Sequence, residues 1–180
     1  MYPRQTLEAF DHFLAARGLY LEAVVIGGAA LELLGVISRP TKDCDILHPS
    51  LPAAILAAAR EFAQTQRVRG EALDDDWLNN GPEQLAQVLP PGWEQRTQSA
   101  FSGAVLSLRA PGRLDLLRTK LFALCDRGTD LRDCVALAPS KDELTEAKPW
   151  VQQQDSNSDW PTHVEAVFAD LARRLGHVQP

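Results

Sequence analysis

The sequence predicts an α/β (α+β) fold in which a mixed sheet is flanked by helices and followed by a helical C-terminal portion. Three observations predict it. Two short segments, the apolar run Leu21–Ile26 and the stretch Asp43–Leu47, read as strands with a short helix between them. An amphipathic helix precedes the first run, and an alanine-rich helix follows the second. From Leu114 onward the periodicity is helical only.

In chain order, Leu7, Phe10, Phe13 and Leu14 recur at helical spacing between Thr6 and Arg17, with Thr6 as cap and Gly18 as stop. The strand Leu21–Ile26 ends at Gly27-Gly28, and Ala29–Leu34 makes two helical turns closed by Gly35. After a turn around Arg39-Pro40-Thr41 comes the second strand, stopped by Pro49; Ser50 caps a helix over Leu51–Thr65. Asp74 to Pro82 reads as loop with at most one helical turn. Trp93–Thr97 and Phe101–Leu108 are expected to pair as an antiparallel hairpin. Leu114–Leu124 and Thr129–Leu137 are helical, Gln152–Asp159 is a polar linker, and Pro161-Thr162 open a last amphipathic helix. Its Phe168 and Leu171 need a surface, on the first helix or on another subunit. The expected domains are therefore 1–140 and a helical extension over 141–180.

Composition narrows the class. With 180 residues, 45% hydrophobic and 23% charged, the chain buries a core without crosslinks or metal. Eighteen basic against 24 acidic residues leave a net charge of −6, which argues against a protein that coats nucleic acid. Cys44, Cys125 and Cys134 form no Cys-x-x-Cys pair, and His12, His48, His163 and His177 are scattered, so no zinc site is expected. No signal-peptide pattern and no membrane-length apolar run is seen, so a cytoplasmic location without membrane contact is expected.

The stretch Val24 to Leu47 carries the chemistry. Side chains two apart on a strand share a face, so Asp43 and Asp45 aim two carboxylates at one place. Such a pair repels itself unless a cation intervenes, and Mg²⁺ takes one or two carboxylates together with substrate phosphates and water. Gly27 and Gly28, at a helix start, let backbone N–H groups approach an anion closely. Either motif alone is commonplace, a tight turn or solvated charge. Their order, strand, Gly-Gly, helix, strand, with about fifteen residues between, is far more specific. No GxxxxGK[ST], GxGxxG or GxSxG motif competes, and Cys44 between two acids is a poor nucleophile.

The run Gly27-Gly28-Ala29-Ala30-Leu31 followed by Arg39-Pro40-Thr41-Lys42-Asp43-Cys44-Asp45 resembles the signature of the polymerase-β-type nucleotidyltransferase superfamily. Arg-x-Thr just before Asp-x-Asp looks like its AbiEii and MenT toxin branch. A later block, Lys120 followed by Asp130-Leu131-Arg132-Asp133, is similar to that branch's Lys…Arg-x-x-Asp-x-x-Asp pattern.

The resemblance implies a nucleotidyltransferase-like sheet, an NTP substrate and Mg²⁺ as cofactor. It places the triphosphate at Gly27 and Gly28, with Arg39 and Thr41 beside them, and the metal at Asp43 and Asp45. Lys120 would contact the nucleotide, and Asp130 or Asp133 would be the later aspartate. Read from the residues alone, Lys120 is equally a snorkelling surface lysine, and Asp130 a helix cap. Many nucleotidyltransferases carry a third carboxylate on a later strand, but Phe101–Leu108 holds no acid; Asp115 or Asp133 are the substitutes. The reaction implied is transfer of a nucleoside monophosphate to an acceptor hydroxyl, on RNA or tRNA or on a protein. The alternative is an inactive nucleotide-binding module acting with a partner protein such as a cognate antitoxin. Six basic residues between Arg109 and Arg132 make either a cleft for nucleotide or RNA, or a solvated helix face.

Overall fold

A computed structural model describes residues 1–177, so the last three residues of the expected 141–180 extension lie outside it. The chain forms two units, Met1–Gly112 and Arg113 onward. Together they make a mixed α/β fold with a five-stranded sheet, flanking helices and a helical C-terminal part, as the sequence predicts. Among the described residues no helix is long and apolar enough to cross a membrane.

The first unit runs α1 (Pro3–Ala15), β1 (Leu21–Ile26), α2 (Gly27–Leu33), β2 (Cys44–His48), α3 (Ala53–Val68), β3 (Leu78–Asn79), α4 (Leu85–Val88), β4 (Gln98–Ser102) and β5 (Leu106–Ala110). The sheet order is β3-β2-β1-β5-β4. β1 runs antiparallel to β2 and parallel to β5, while β3 is parallel to β2 and β4 antiparallel to β5.

Helix α1 begins three residues earlier than its expected cap. Pro3 opens it with its fixed φ, and Tyr2 rather than Thr6 takes the N-cap position. Its apolar stripe, Leu7, Phe10 and Leu14, is completely buried. Phe10 meets Trp77 edge-on at 5.1 Å and Phe62 of α3 at 5.2 Å. Trp77, inside a segment that reads as loop, is therefore a core residue, and its indole N–H donates to the Ala59 carbonyl. Ser50 does not cap α3, which starts after Pro52; the Ser50 hydroxyl donates to Glu83 instead.

The hairpin is shifted from its expected place. Its strands are Gln98–Ser102 and Leu106–Ala110, and Trp93–Thr97 forms turns. The cause is a long-range contact. The Asp11 carboxylate of α1 accepts N–H hydrogen bonds from Ala104, Val105 and Leu106 at 2.8–2.9 Å. Position 103 must then be glycine, because a Cβ there would stand 2.4 Å from that carboxylate. Burial opposes the charge of Asp11, but the three N–H groups outweigh it and hold the carboxyl below its usual pKa.

The second unit is helical: α5 (Arg113–Arg127), α6 (Leu131–Leu137), α7 (Lys141–Gln152) and α8 (Trp160–Arg174). α6, α7 and α8 all pack on α5. Helix α7 starts with a capping box in which Ser140 and Glu143 satisfy each other's backbone N–H groups. Leu144, Ala147 and Val151 of α7, and Val164, Phe168 and Leu171 of α8, are buried. Residues after Lys141 thus belong to this unit's core. Phe168 and Leu171 find their surface within it, where α8 packs on α5, α6 and α7. The polar stretch after Gln152 is a turn between packed helices, built from Asx turns at Asp155 and Asn157, and not a linker to a separate segment.

Candidate active site

Strand β1 delivers the chain into Gly27-Gly28 at the sheet end where β2 begins, and Ile26 pairs with Asp45 across the two strands. Gly27 adopts φ +75°, a left-handed conformation that favours glycine. A Cβ at position 27 would lie 3.0 Å from Asp45 Oδ2, so this carboxylate rests directly against the glycine backbone. A Cβ at position 28 would lie 3.1 Å from the Thr41 methyl, which puts the second glycine against the Arg39–Thr41 segment.

Thr41 is buried and ties this segment down. Its backbone N–H donates to the Met1 carbonyl at 2.9 Å, and its hydroxyl donates to the Asp43 carbonyl at 3.0 Å. Arg39 is exposed, its guanidinium 3.4 Å from the Pro40 carbonyl. Asp43 stands one residue before β2 rather than on it. Asp43 and Asp45 occupy half-buried positions alternating with fully buried Cys44 and Ile46, so the backbone turns both acids away from the core. Burial, reinforced by the charges of Asp45 and Asp43, pushes the Cys44 thiol far above its usual pKa and makes it unreactive.

Strand β3 adds a residue that sequence reasoning missed. Asn79 pairs in parallel register with Asp45 and is likewise half-buried, while its neighbour Leu78 pairs with Cys44 in the core. A two-residue strand inside a polar run leaves no periodicity to detect.

Within the second unit, Lys120 of α5 is neither exposed nor snorkelling. Only 6% of its surface is accessible, and its ammonium donates to Asp133 at 2.8 Å and Asp130 at 2.9 Å. Burial disfavours its charge, but the hydrogen bonds to Asp133 and Asp130 prevail and raise its pKa above the ordinary lysine value. Asp130 does not cap α6. It sits at φ 65° with no capping hydrogen bond and turns its carboxylate to Lys120. Asp115 is buried against Arg118 at 2.9 Å. The other basic residues between positions 109 and 132 are also largely engaged: Arg109 with Thr97, Arg113 with Glu143, Arg127 with Asp126 and Asp130. Arg132 is exposed.

Residues 5–139 match a family described as nucleotidyltransferases of unknown function (DUF6036). The chain belongs to this nucleotidyltransferase family. Its matched stretch contains the Gly-Gly turn, Asp43 and Asp45, and the Lys120 ion cluster. No curated protein and no solved structure gives a match.

A divalent cation fits the residues present at the end of β2. Two half-exposed carboxylates offer hard oxygen ligands of the kind Mg²⁺ takes together with phosphate oxygens and water. The Gly27 backbone, with no Cβ, leaves room beside Asp45 that any other residue would fill. Among the described residues, no group of three or more His, Cys, Asp or Glu side chains is arranged to hold a metal.

Proposed function

We propose that the chain is a Mg²⁺-dependent nucleotidyltransferase that moves a nucleoside monophosphate from an NTP to an acceptor hydroxyl. The observation that carries the reading is the Asp45 carboxylate lying against the Gly27 backbone in a member of a nucleotidyltransferase family. Asp43 and Asp45 would hold the metal. Bound there, the cation would offset the charge of the triphosphate and of the departing pyrophosphate. Gly27 and Gly28 would receive the phosphates through their backbone, with Thr41 holding the segment that faces them and Arg39 supplying an exposed positive charge. In the reaction the acceptor oxygen bonds to the α-phosphorus, the α–β bridging bond breaks, and pyrophosphate leaves. Lys120 and Asp133 would act as the later lysine and aspartate of the toxin-like pattern.

The same resemblance to the AbiEii and MenT branch supports RNA or tRNA as acceptor and an antitoxin as protein partner. A second reading is favoured by one observation: no three acidic, His or Cys ligands converge among the described residues. In that reading the fold binds NTP without transferring it and acts through a partner protein. α-Labelled NTP with Mg²⁺, given to the full chain alone and with total RNA, separates the two. Labelled RNA or labelled protein, lost in Asp45→Asn, supports transfer. Mg²⁺–NTP stabilisation of the wild type without label supports the binding module. Stabilisation that survives Asp45→Asn unchanged places the ligand elsewhere and sinks both.

A further inference from the structure

We propose that Asn79 is the third side chain of the metal site, a neutral amide ligand beside the carboxylates of Asp43 and Asp45. The proposal rests on the reading of those two aspartates as a metal pair. Its starting point is register. Asp45 has Ile26 as its partner on β1 and Asn79 as its partner on β3, so the polar neighbour of Asp45 across the sheet is Asn79. Residues paired in register project to the same face, and the matching half-burial of Asp45 and Asn79, against buried Cys44 and Leu78, agrees.

So short a strand needs outside support to keep its register, and it has support on both sides. Before it, Trp77 is anchored in the aromatic core, and its carbonyl accepts the Cys44 N–H at 2.6 Å. After it, the Asn80 amide donates to the Ile46 carbonyl at 3.0 Å and accepts the Leu51 N–H at 2.6 Å. The Asn79 side chain is itself oriented: Nδ2 donates to the Asp76 carbonyl at 3.2 Å, and Oδ1 accepts the Gly81 N–H at 2.6 Å. An amide oxygen carries two lone pairs, so one accepted hydrogen bond leaves capacity for a cation. Side-chain amide oxygens are ordinary ligands for hard divalent ions. This also explains why no group of three ionisable ligands is found among the described residues: the position beside Asp45 is filled by an uncharged oxygen donor. The site charge is then set by two carboxylates, not three.

The test is a Mn²⁺ titration of the full chain, with free Mn²⁺ read by electron paramagnetic resonance and folding checked by circular dichroism and thermal melts. The proteins are wild type, Asn79→Asp, Asn79→Ala and Asp45→Asn. Asn79→Asp keeps an oxygen for the Gly81 N–H and adds a charge next to Asp45. It should bind Mn²⁺ about tenfold more tightly or better, since ligand charge tunes such sites. Its metal-free melting temperature should fall and be restored by Mn²⁺, because neighbouring carboxylates repel. Asn79→Ala should weaken Mn²⁺ binding by about threefold or more, the loss of one neutral ligand. If Asn79→Ala melts early, the Asn79→Asp titration decides alone. Both Asn79 variants within about twofold of wild type, with binding lost in Asp45→Asn, would make Asn79 a turn residue only and leave the aspartate pair standing. Unchanged Mn²⁺ affinity in Asp45→Asn would remove the pair itself, and the proposal with it.

Discussion

Gly27, the residue that follows β1, and Asp45 of β2 lie against each other, the carboxylate resting where the glycine has no side chain. Gly27→Ala therefore meets two obstacles, a left-handed backbone and a Cβ 3.0 Å from Asp45 Oδ2. It should cost about 2 kcal/mol of stability and displace the Asp45 carboxylate. Urea unfolding measures the first effect. Loss of the Mg²⁺–NTP shift in melting temperature measures the second, and an unchanged shift would show that the contact is irrelevant to the ligand.

Asp11 holds the β4–β5 turn through three backbone N–H groups. Asp11→Ala leaves those donors without their acceptor and should cost about 3 kcal/mol. The pH dependence follows from the direction of its shift. A carboxyl whose folded pKa is lowered contributes stability above its unfolded pKa of 3.8 and loses it as pH falls through the lower folded value. Melting temperatures from pH 7 down to pH 2 should drop more steeply for wild type than for Asp11→Asn. Parallel curves would refute the assignment.

Lys120 neutralises two acids in a region almost closed to solvent. Lys120→Ala should destabilise by about 3–5 kcal/mol, because it strands Asp133 and Asp130 without their cation. Loss of activity in that variant is then no proof of nucleotide contact. Adding Asp133→Asn to Lys120→Ala should recover part of the loss, as measured by a double-mutant cycle in denaturant. Full additivity would mean that the two side chains do not interact.

The capping box at Ser140 and Glu143 fixes the start of α7. Ser140→Ala should cost about 1 kcal/mol and lower the melting temperature by about 3 °C. Mg²⁺–NTP stabilisation should be unchanged, and a selective loss of it would tie α7 to ligand binding.

Much of the fold was legible because its signals are local. Leu21–Ile26 matches β1 residue for residue, since β-branched residues ended by two glycines read the same way in sequence and in space. Periodicity marks the amphipathic helices α1 and α3, although Thr6 and Ser50 place their caps a few residues away from Tyr2 and Pro52, which take those positions. Helix α7 has a readable start signal, Ser140 followed three residues later by Glu143, at the head of the helical extension expected from 141. The hairpin was misplaced because its register depends on Asp11, more than ninety residues away.

By itself the sequence determined the candidate site's two motifs and their order along the chain. A strand running into Gly-Gly and an Asp-x-Asp alternation obey backbone geometry at spacings of one to five residues. The tertiary structure alone decided what those motifs touch. It set Asp45 against Gly27, brought Asn79 alongside on a two-residue strand, and turned Lys120 inward onto Asp130 and Asp133. Each of these depends on partners brought together by packing, such as Trp77 in the aromatic core and Asn80 across to Ile46, and no local pattern encodes which distant backbone group a buried polar side chain will meet.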